Sequence, residues 1–205
     1  MNDPDDFSSQ LPLSAEELIT RGVEYANAGD YENGIADFTE AIGLNSDLTF
    51  LAYKNRGVIY FKQGNYENAL ADLTEAIRLK PDFEFAYNDR GEVYLAQNDN
   101  GHAIADFTEA INSNPVYARA LYNRFSAYFN VGDYEKAVSD HKRAIERDYG
   151  IAGTFHKKIN FVKVITDLET RLQSEPDNAE VRRNLEMVQN LYWFAKGPPK
   201  RQGSN

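Results

Sequence analysis

The side chains that could carry chemistry are few. The chain holds three histidines, His102, His141 and His156, and no cysteine. No two histidines stand at the spacing of a metal-ligand pair, and no glycine-rich phosphate loop follows a strand pattern. The lack of cysteine excludes a thiol nucleophile, a disulfide framework and any zinc or iron–sulfur site built on thiolates. We therefore expect no enzyme, no metal and no cofactor.

Two charged side chains recur at fixed places along the chain. The arginines are Arg21, Arg56, Arg90 and Arg124, and the aspartates are Asp37, Asp72, Asp106 and Asp140. A guanidinium beside a carboxylate can form a bidentate pair. Because four acids accompany the four bases, the pattern favours structural ion pairs. The alternative is a row of arginines that binds an anion.

These charges belong to an internal repeat of 34 or 35 residues. Copies begin at Ile19, Lys54, Asn88 and Tyr122, and they define four units at 15–48, 50–83, 84–117 and 118–151. Apolar residues recur at helical spacing twice within each unit. Glycine ends the first helix, Asp or Asn caps the second, and Pro81 or Pro115 stops it in the middle units. Each unit is therefore predicted to be a helical hairpin.

Small residues mark where the two helices of a hairpin cross. Gly22, Gly57 and Gly91 are predicted to face a small residue of the second helix. The fourth unit has Phe125 instead, which predicts a hairpin wedged slightly open, and His141 stands where the other units have Phe or Leu, which predicts a core residue. The third unit lacks the turn glycine and has Asn98, which predicts a looser turn.

The repeat resembles the tetratricopeptide repeat family in its length and in its order of Gly, Tyr, Ala and Pro. The resemblance covers 15–151 and implies an all-α fold. That fold is a right-handed superhelical solenoid of four helix-turn-helix repeats, closed by C-terminal capping helices at 152–196. It also implies a non-catalytic protein–protein interaction scaffold or adaptor that binds a peptide segment or helix in a concave groove.

The same resemblance supplies a set of groove residues on the first helices. They are Lys54, Asn55, Phe61, Lys62, Phe85, Asn88, Asp89, Arg119, Tyr122, Asn123 and Phe129. A partner is expected to place an acidic or carboxy-terminal group near Lys54 or Arg119. Its apolar anchor would lie near Phe61 or Tyr122. The alternative is that these residues form solvated helix faces.

Two other roles stay open. Members of the family that hold the acidic tails of heat-shock chaperones use Lys, Asn and Arg at five places. Only two of those five match here, and Asp89 would repel a carboxylate, which disfavours a co-chaperone, although a chaperone-like accessory role stays an alternative. The other alternative is an assembly subunit that forms a homo-oligomer through its last helix, where Trp193 and Phe194 lie off the apolar stripe.

Composition limits the partners and the location. The formal net charge of −10 argues against nucleic-acid binding, which needs a basic face. No apolar run is long enough to insert into a membrane, and the acidic start of the chain is unlike a secretory signal, so we expect a cytoplasmic protein. Residues 1–13 are predicted to be a disordered acidic N-terminus and residues 197–205 a flexible basic tail. Helices are predicted from Phe155 and after Asp177, which should cap the last one.

Overall fold

The helical hairpins predicted from the repeat are present in the computed structural model. It describes residues 12–148 and 160–196, with side chains up to Trp193, and every regular element in these ranges is an α-helix. The helices are α1 (Ala15–Ala28), α2 (Tyr31–Gly43), α3 (Thr49–Lys62), α4 (Tyr66–Leu79), α5 (Glu84–Ala96), α6 (Asn100–Ser113), α7 (Ala118–Asn130), α8 (Tyr134–Arg147), α9 (Phe161–Ser174) and α10 (Ala179–Lys196). The predicted terminal segments, 1–13 and 197–205, lie almost wholly outside the described residues.

The chain divides into two compact units. The first runs to Ala86 and contains the hairpins α1–α2 and α3–α4, while the second runs from Tyr87 and contains most of α5 and all of α6–α10. The core of the first unit includes the buried side chains Leu18, Phe38 and Ile59. The largest core cluster of the second unit is centred on Tyr122, Phe125 and Phe129.

Local capping signals set the helix ends. Ser14 and Glu17 form the capping box of α1, and each accepts a hydrogen bond from the other's backbone N–H. The C-terminal cap of helix α1 is Gly29, which has the left-handed conformation with φ 82° in the turn between α1 and α2. In the turn between α5 and α6, which is the turn of the third hairpin, Asn98 takes this left-handed conformation at φ 61°. The N–H group of Asp99 donates to the carbonyl of Tyr94 at 2.9 Å, and the turns of the other hairpins contain the equivalent bond. The prediction of a looser third turn is therefore wrong, because Asn tolerates the left-handed region.

Close packing explains the glycines at the hairpin crossings. A Cβ added to Gly91 would lie 2.6 Å from Cε1 of Phe107, and one added to Gly22 would lie 2.8 Å from the same atom of Phe38. At both positions the three nearest atoms belong to a large side chain of the second helix. No other residue would let the helices approach this closely without a shift.

The fourth hairpin has two large side chains at this crossing. Phe125 takes the glycine place and is fully buried, and its ring lies 5.0 Å from that of His141, which is also buried. The prediction that His141 is a core residue is confirmed. Beside this pair, Arg124 and Asp140 bond at 2.6 and 2.8 Å, the same range as in the other hairpins. The two helices of the fourth hairpin are therefore not held apart by Phe125 at the position of this ion pair.

The C-terminal helices differ from the prediction at their boundaries. The predicted start at Phe155 lies outside the described residues, and α9 begins at Phe161 with Asn160 as its cap. The cap of α10 is Asn178 rather than Asp177, because its side-chain oxygen accepts from the N–H groups of Glu180 and Val181.

The repeat pattern also continues further than its overall similarity indicates. Helix α8 has its cap at Asp133, an aromatic residue at Tyr134 and an aspartate at Asp140. The same kinds of residue recur in α9 with the same spacing, at Asn160, Phe161 and Asp167. Pro176 follows Asn160 by 16 residues, as Pro81 follows Asn65. Helix α9 thus keeps the sequence signature of a second helix. Both α9 and α10 add apolar side chains to the core of the second unit, among them Phe161, Leu168, Val188 and Leu191.

Candidate functional site

Each recurrent arginine bonds to the aspartate of its own hairpin with two hydrogen bonds. The Nε and Nη2 groups of Arg56 donate to Asp72 at 2.8 and 2.9 Å, and Arg21, Arg90 and Arg124 do the same with Asp37, Asp106 and Asp140. The predicted ion pairs are confirmed.

These ion pairs also connect successive hairpins. The Nη1 group of Arg56 donates to Thr39 of the preceding hairpin at 2.9 Å, and Arg124 bonds Thr108 in the same way at 3.0 Å. The side-chain hydrogen bond with Asp72 raises the pKa of the Arg56 guanidinium, although burial acts in the opposite direction. These guanidiniums are engaged within the fold, which argues against a row of arginines that binds an anion.

The first compact unit holds five of the predicted groove residues. On α3, Lys54, Asn55 and Phe61 are half-buried and Lys62 is exposed. Nζ of Lys62 lies 6.0 Å from the centroid of the Tyr31 ring, within cation–π range.

The fifth of these residues is Phe85, at the start of α5. It is 43% exposed and packs edge-to-face on Phe83 with the ring centroids 5.6 Å apart. The first unit therefore offers an exposed aromatic ring and an exposed lysine for contact with a partner.

The second compact unit holds a connected set of polar side chains on α5 and α7, which we call the polar network. Nδ2 of Asn123 donates to Oδ1 of Asn88 at 2.9 Å and to Oε1 of Glu92 at 2.8 Å. Asn88 also donates to Glu92 at 3.0 Å and to Asp89 at 3.3 Å. Both asparagines are buried, which fixes their amide groups.

Arg119 completes the polar network at its exposed edge. Its Nε and Nη2 groups donate to the two carboxylate oxygens of Glu92 at 2.9 and 3.0 Å. Burial opposes the charged guanidinium, but the charges of Glu92 and Asp89 outweigh it, so the pKa of Arg119 is raised. Two carboxylates against one guanidinium leave the network with a net charge of −1.

Two of the predicted groove residues lie in the core of the second unit. Tyr122 is fully buried beside Phe125, and Phe129 is 5% exposed and packs edge-to-face on Phe161 of α9. Burial also raises the pKa of the Tyr122 hydroxyl. Tyr122 therefore presents no apolar anchor site at the surface. Phe129 is covered by a helix beyond the recognised repeats, which explains why the repeat pattern alone misplaces it.

Glu92 lies among the groove positions expected on the third unit, but the sequence reasoning did not predict its hydrogen bonds. It accepts hydrogen bonds from Asn88, Asn123 and Arg119, and so joins α5 to α7. The signal was available, since Glu92 lies one helical turn after Asn88 on the same face. Its partner on the next unit is not readable from a single helix, because Arg119 lies 27 residues away.

Neither a metal site nor a membrane span appears in the part of the chain that the structure describes. No three His, Asp or Glu side chains converge there in a way that could hold a metal ion. None of the helices in 12–148 or 160–196 combines the length and the apolar character needed to cross a bilayer.

Comparison with protein families finds three matches, all to models described as tetratricopeptide repeat. They cover residues 18–48, 50–83 and 88–150. A search of curated proteins finds no match for this chain.

Solved structures of similar fold include MamA, with 26% sequence identity and a TM-score of 0.61 over 70% of this chain and 84% of that chain. YrrB, described as having an unusual peptide-binding site, is 17% identical with a TM-score of 0.61, over 87% of this chain and 86% of that chain. The first such domain of Spaghetti (RPAP3), solved with the HSP90 peptide SRMEEVD, is 22% identical with a TM-score of 0.51, over 72% and 95%.

Proposed function

The chain belongs to the tetratricopeptide repeat family, and we propose that it is a non-catalytic adaptor that binds a peptide segment or helix of another protein in the cytoplasm. The polar network carries this proposal. It holds hydrogen-bonding groups of two successive first helices in fixed positions, with the Arg119–Glu92 pair at the exposed edge. Polar groups held in fixed positions suit the recognition of a peptide.

The peptide-bound structure of Spaghetti (RPAP3) and the described peptide site of YrrB support this function, since both share the fold. They support a peptide ligand as a class and not a particular one. Without avidity such a site would bind at roughly micromolar strength, near −8 kcal/mol.

The polar network changes the expected chemistry of the partner. A carboxylate near Arg119 would have to compete with Glu92, which already accepts hydrogen bonds from the Nε and Nη2 groups of that guanidinium. The net charge of −1 instead favours a basic or amide group at this place. An apolar anchor of the partner is best placed near the exposed ring of Phe85 or near Phe61.

Substitutions on the first helices of the two units test whether these helices form the binding surface. The full chain would be used to capture a partner, and the affinity for the captured segment would be measured by calorimetry. Phe85→Ala and Glu92→Gln should each weaken binding about 10- to 100-fold, because the first removes an aromatic anchor and the second removes the negative charge that favours a basic group of the partner.

The matched controls are Glu40→Ala and Glu109→Ala, which lie exposed on the second helices α2 and α6. These variants should bind as the unchanged chain does. If the control variants lost the partner and the first pair kept it, the first helices would not be the binding surface.

A further inference from the structure

A cavity lies between α8 and α10 in the second compact unit. Its volume is about 320 Å³, and Val138 and Ile145 of α8 and Met187 and Leu191 of α10 form most of its apolar wall. This volume is within the range of small-ligand sites, and it exceeds the roughly 150 Å³ that suffices for a benzene ring. The cavity is therefore large enough for one bicyclic aromatic side chain.

Helices α8 and α10 share one core cluster of the second unit. Helix α10 follows α9, and its Val188 and Leu191 pack into the same core cluster as Ala144 of α8. In the third unit the equivalent Ala110 packs in a cluster with Ala120 of the following first helix. Helix α10 thus packs near Ala144 on α8, whereas the equivalent Ala110 on α6 packs near the first helix of the next repeat.

Polar groups around the cavity limit the chemical class of side chain that it can bind. His141, buried in the core, forms part of the wall, and Lys142 and Glu146 are exposed side chains at the edge. A carboxylate can accept a hydrogen bond from an indole N–H, whereas a phenyl ring has no donor to offer it. The lining thus suits an indole ring better than a purely apolar one.

The chain carries one such ring on the same helix. Trp193, the only tryptophan in the sequence, is 60% exposed, and its ring contacts Tyr192, the residue before it. The side chain of Phe194, predicted to act with it, lies outside the described residues. Most of the Trp193 surface is thus uncovered by the described part of the chain. Tryptophan is among the residues that most often anchor protein interfaces.

We propose that two copies of this chain associate through α8 and α10, with Trp193 of each copy inserted into the cavity of the other. An antiparallel pairing of α10 about a two-fold axis at Asn190 brings Trp193 of one copy opposite Met187 of the other, because each lies three positions from Asn190. Met187 lines the cavity, so one symmetric contact fills both cavities.

Charge is compatible with this pairing. The chain as a whole carries −10, which opposes contact between most of its surfaces. Helices α8 and α10 together hold seven basic and five acidic side chains. Lys142 and Glu146 place both signs at the edge of the same cavity, so that opposite charges can meet across a two-fold axis.

The single tryptophan makes the association directly measurable. The mass of the full chain would be determined by light scattering over a concentration series, together with tryptophan emission and quenching by acrylamide. We expect a dimer at high concentration, with an emission maximum shifted to shorter wavelength and reduced quenching. A monomer at every concentration, with Trp193 open to quenching throughout, would overturn the proposal.

Variants separate this contact from other modes of association. Trp193→Ala should raise the dissociation constant of the dimer at least about 100-fold, since both copies lose a buried aromatic anchor. Val116→Ala removes a side chain that is 56% exposed elsewhere in the chain, and it should leave the dimer unchanged. A dimer that Trp193→Ala does not weaken would contradict the proposal.

Mixing of two variants tests the cavity itself. Val138→Phe should fill the cavity and give a monomer that keeps an exposed tryptophan, with its fold verified by circular dichroism. Mixed with Trp193→Ala, it should form a heterodimer, because one copy supplies the ring and the other the cavity. Absence of any heterodimer would count against the cavity, while peptide binding at the first helices would be tested separately and could still hold.

Discussion

The ring of Phe125 lies 5.0 Å from the ring of His141, at the place where the three preceding hairpins put a glycine against a larger apolar side chain. The two helices thus carry a large first residue and a histidine where Gly91 and Phe107 stand in the third unit. His141 is only slightly smaller than the phenylalanine it replaces, so it offsets little of the volume that Phe125 adds. The ring of Phe125 also packs on Tyr122 and Phe129.

This pairing predicts strong coupling between the two residues. Phe125→Gly alone should lower the free energy of unfolding by at least about 3 kcal/mol, because it empties a fully buried site. Addition of His141→Phe recreates the Gly–Phe pair of the third unit and should recover about 1–3 kcal/mol. Urea unfolding of the two single variants and the double variant gives the coupling energy. Strictly additive effects would show that the positions pack independently.

A methyl group at Gly91 should be costly although alanine favours helices. Its Cβ would lie 2.6 Å from Cε1 of Phe107, so Gly91→Ala is expected to destabilise the fold by about 1–3 kcal/mol. Gly43 at the end of α2 is the control, because a Cβ there meets nothing within 4 Å. Gly43→Ala should be neutral or stabilising by up to about 1 kcal/mol. Equal thermal shifts for both variants would contradict the packing argument.

The polar network should contribute to stability as well as to binding. Asn123→Ala removes the donor that serves Asn88 and Glu92, and it should cost about 1–3 kcal/mol because it leaves these partly buried acceptors with fewer partners. Asn55→Ala, on the half-buried face of α3, should change stability by no more than about 0.5 kcal/mol. Chemical unfolding measures both. A stability loss at Asn55 equal to that at Asn123 would show that burial does not distinguish the two asparagines.

The capping box of α1 predicts a pH dependence. Hydrogen bonds from the backbone N–H and the hydroxyl of Ser14 lower the pKa of the Glu17 carboxyl from its ordinary value of 4.5. Since the folded pKa is the lower one, the contribution of the cap is present above the unfolded pKa. It is lost as the pH falls through the folded pKa.

An NMR titration of the Glu17 carboxyl gives its midpoint directly. The midpoint should lie below 4.5 in the unchanged chain and should rise in Ser14→Ala, which removes the hydroxyl but keeps the backbone donor. A Glu17 midpoint that Ser14→Ala leaves unchanged would contradict the contribution of the hydroxyl.

Features that depend on neighbours along the chain could be predicted from the sequence. The four hairpins and the pairing of Arg56 with Asp72 follow from helical periodicity and a repeat seen four times. The third turn shows where such reasoning stops, because Asn98 adopts the conformation of the missing glycine and the geometry is unchanged.

What only the tertiary structure decided are the contacts between helices distant in sequence. The amides of Asn88 and Asn123 and the guanidinium of Arg119 converge on Glu92, which removes a free positive charge that the residue types alone indicated. Phe129 is buried because α9, beyond the recognised repeats, packs its Phe161 against it. A residue type indicates which bonds a side chain can make. Which partner it meets depends on how helices separated by many residues are packed.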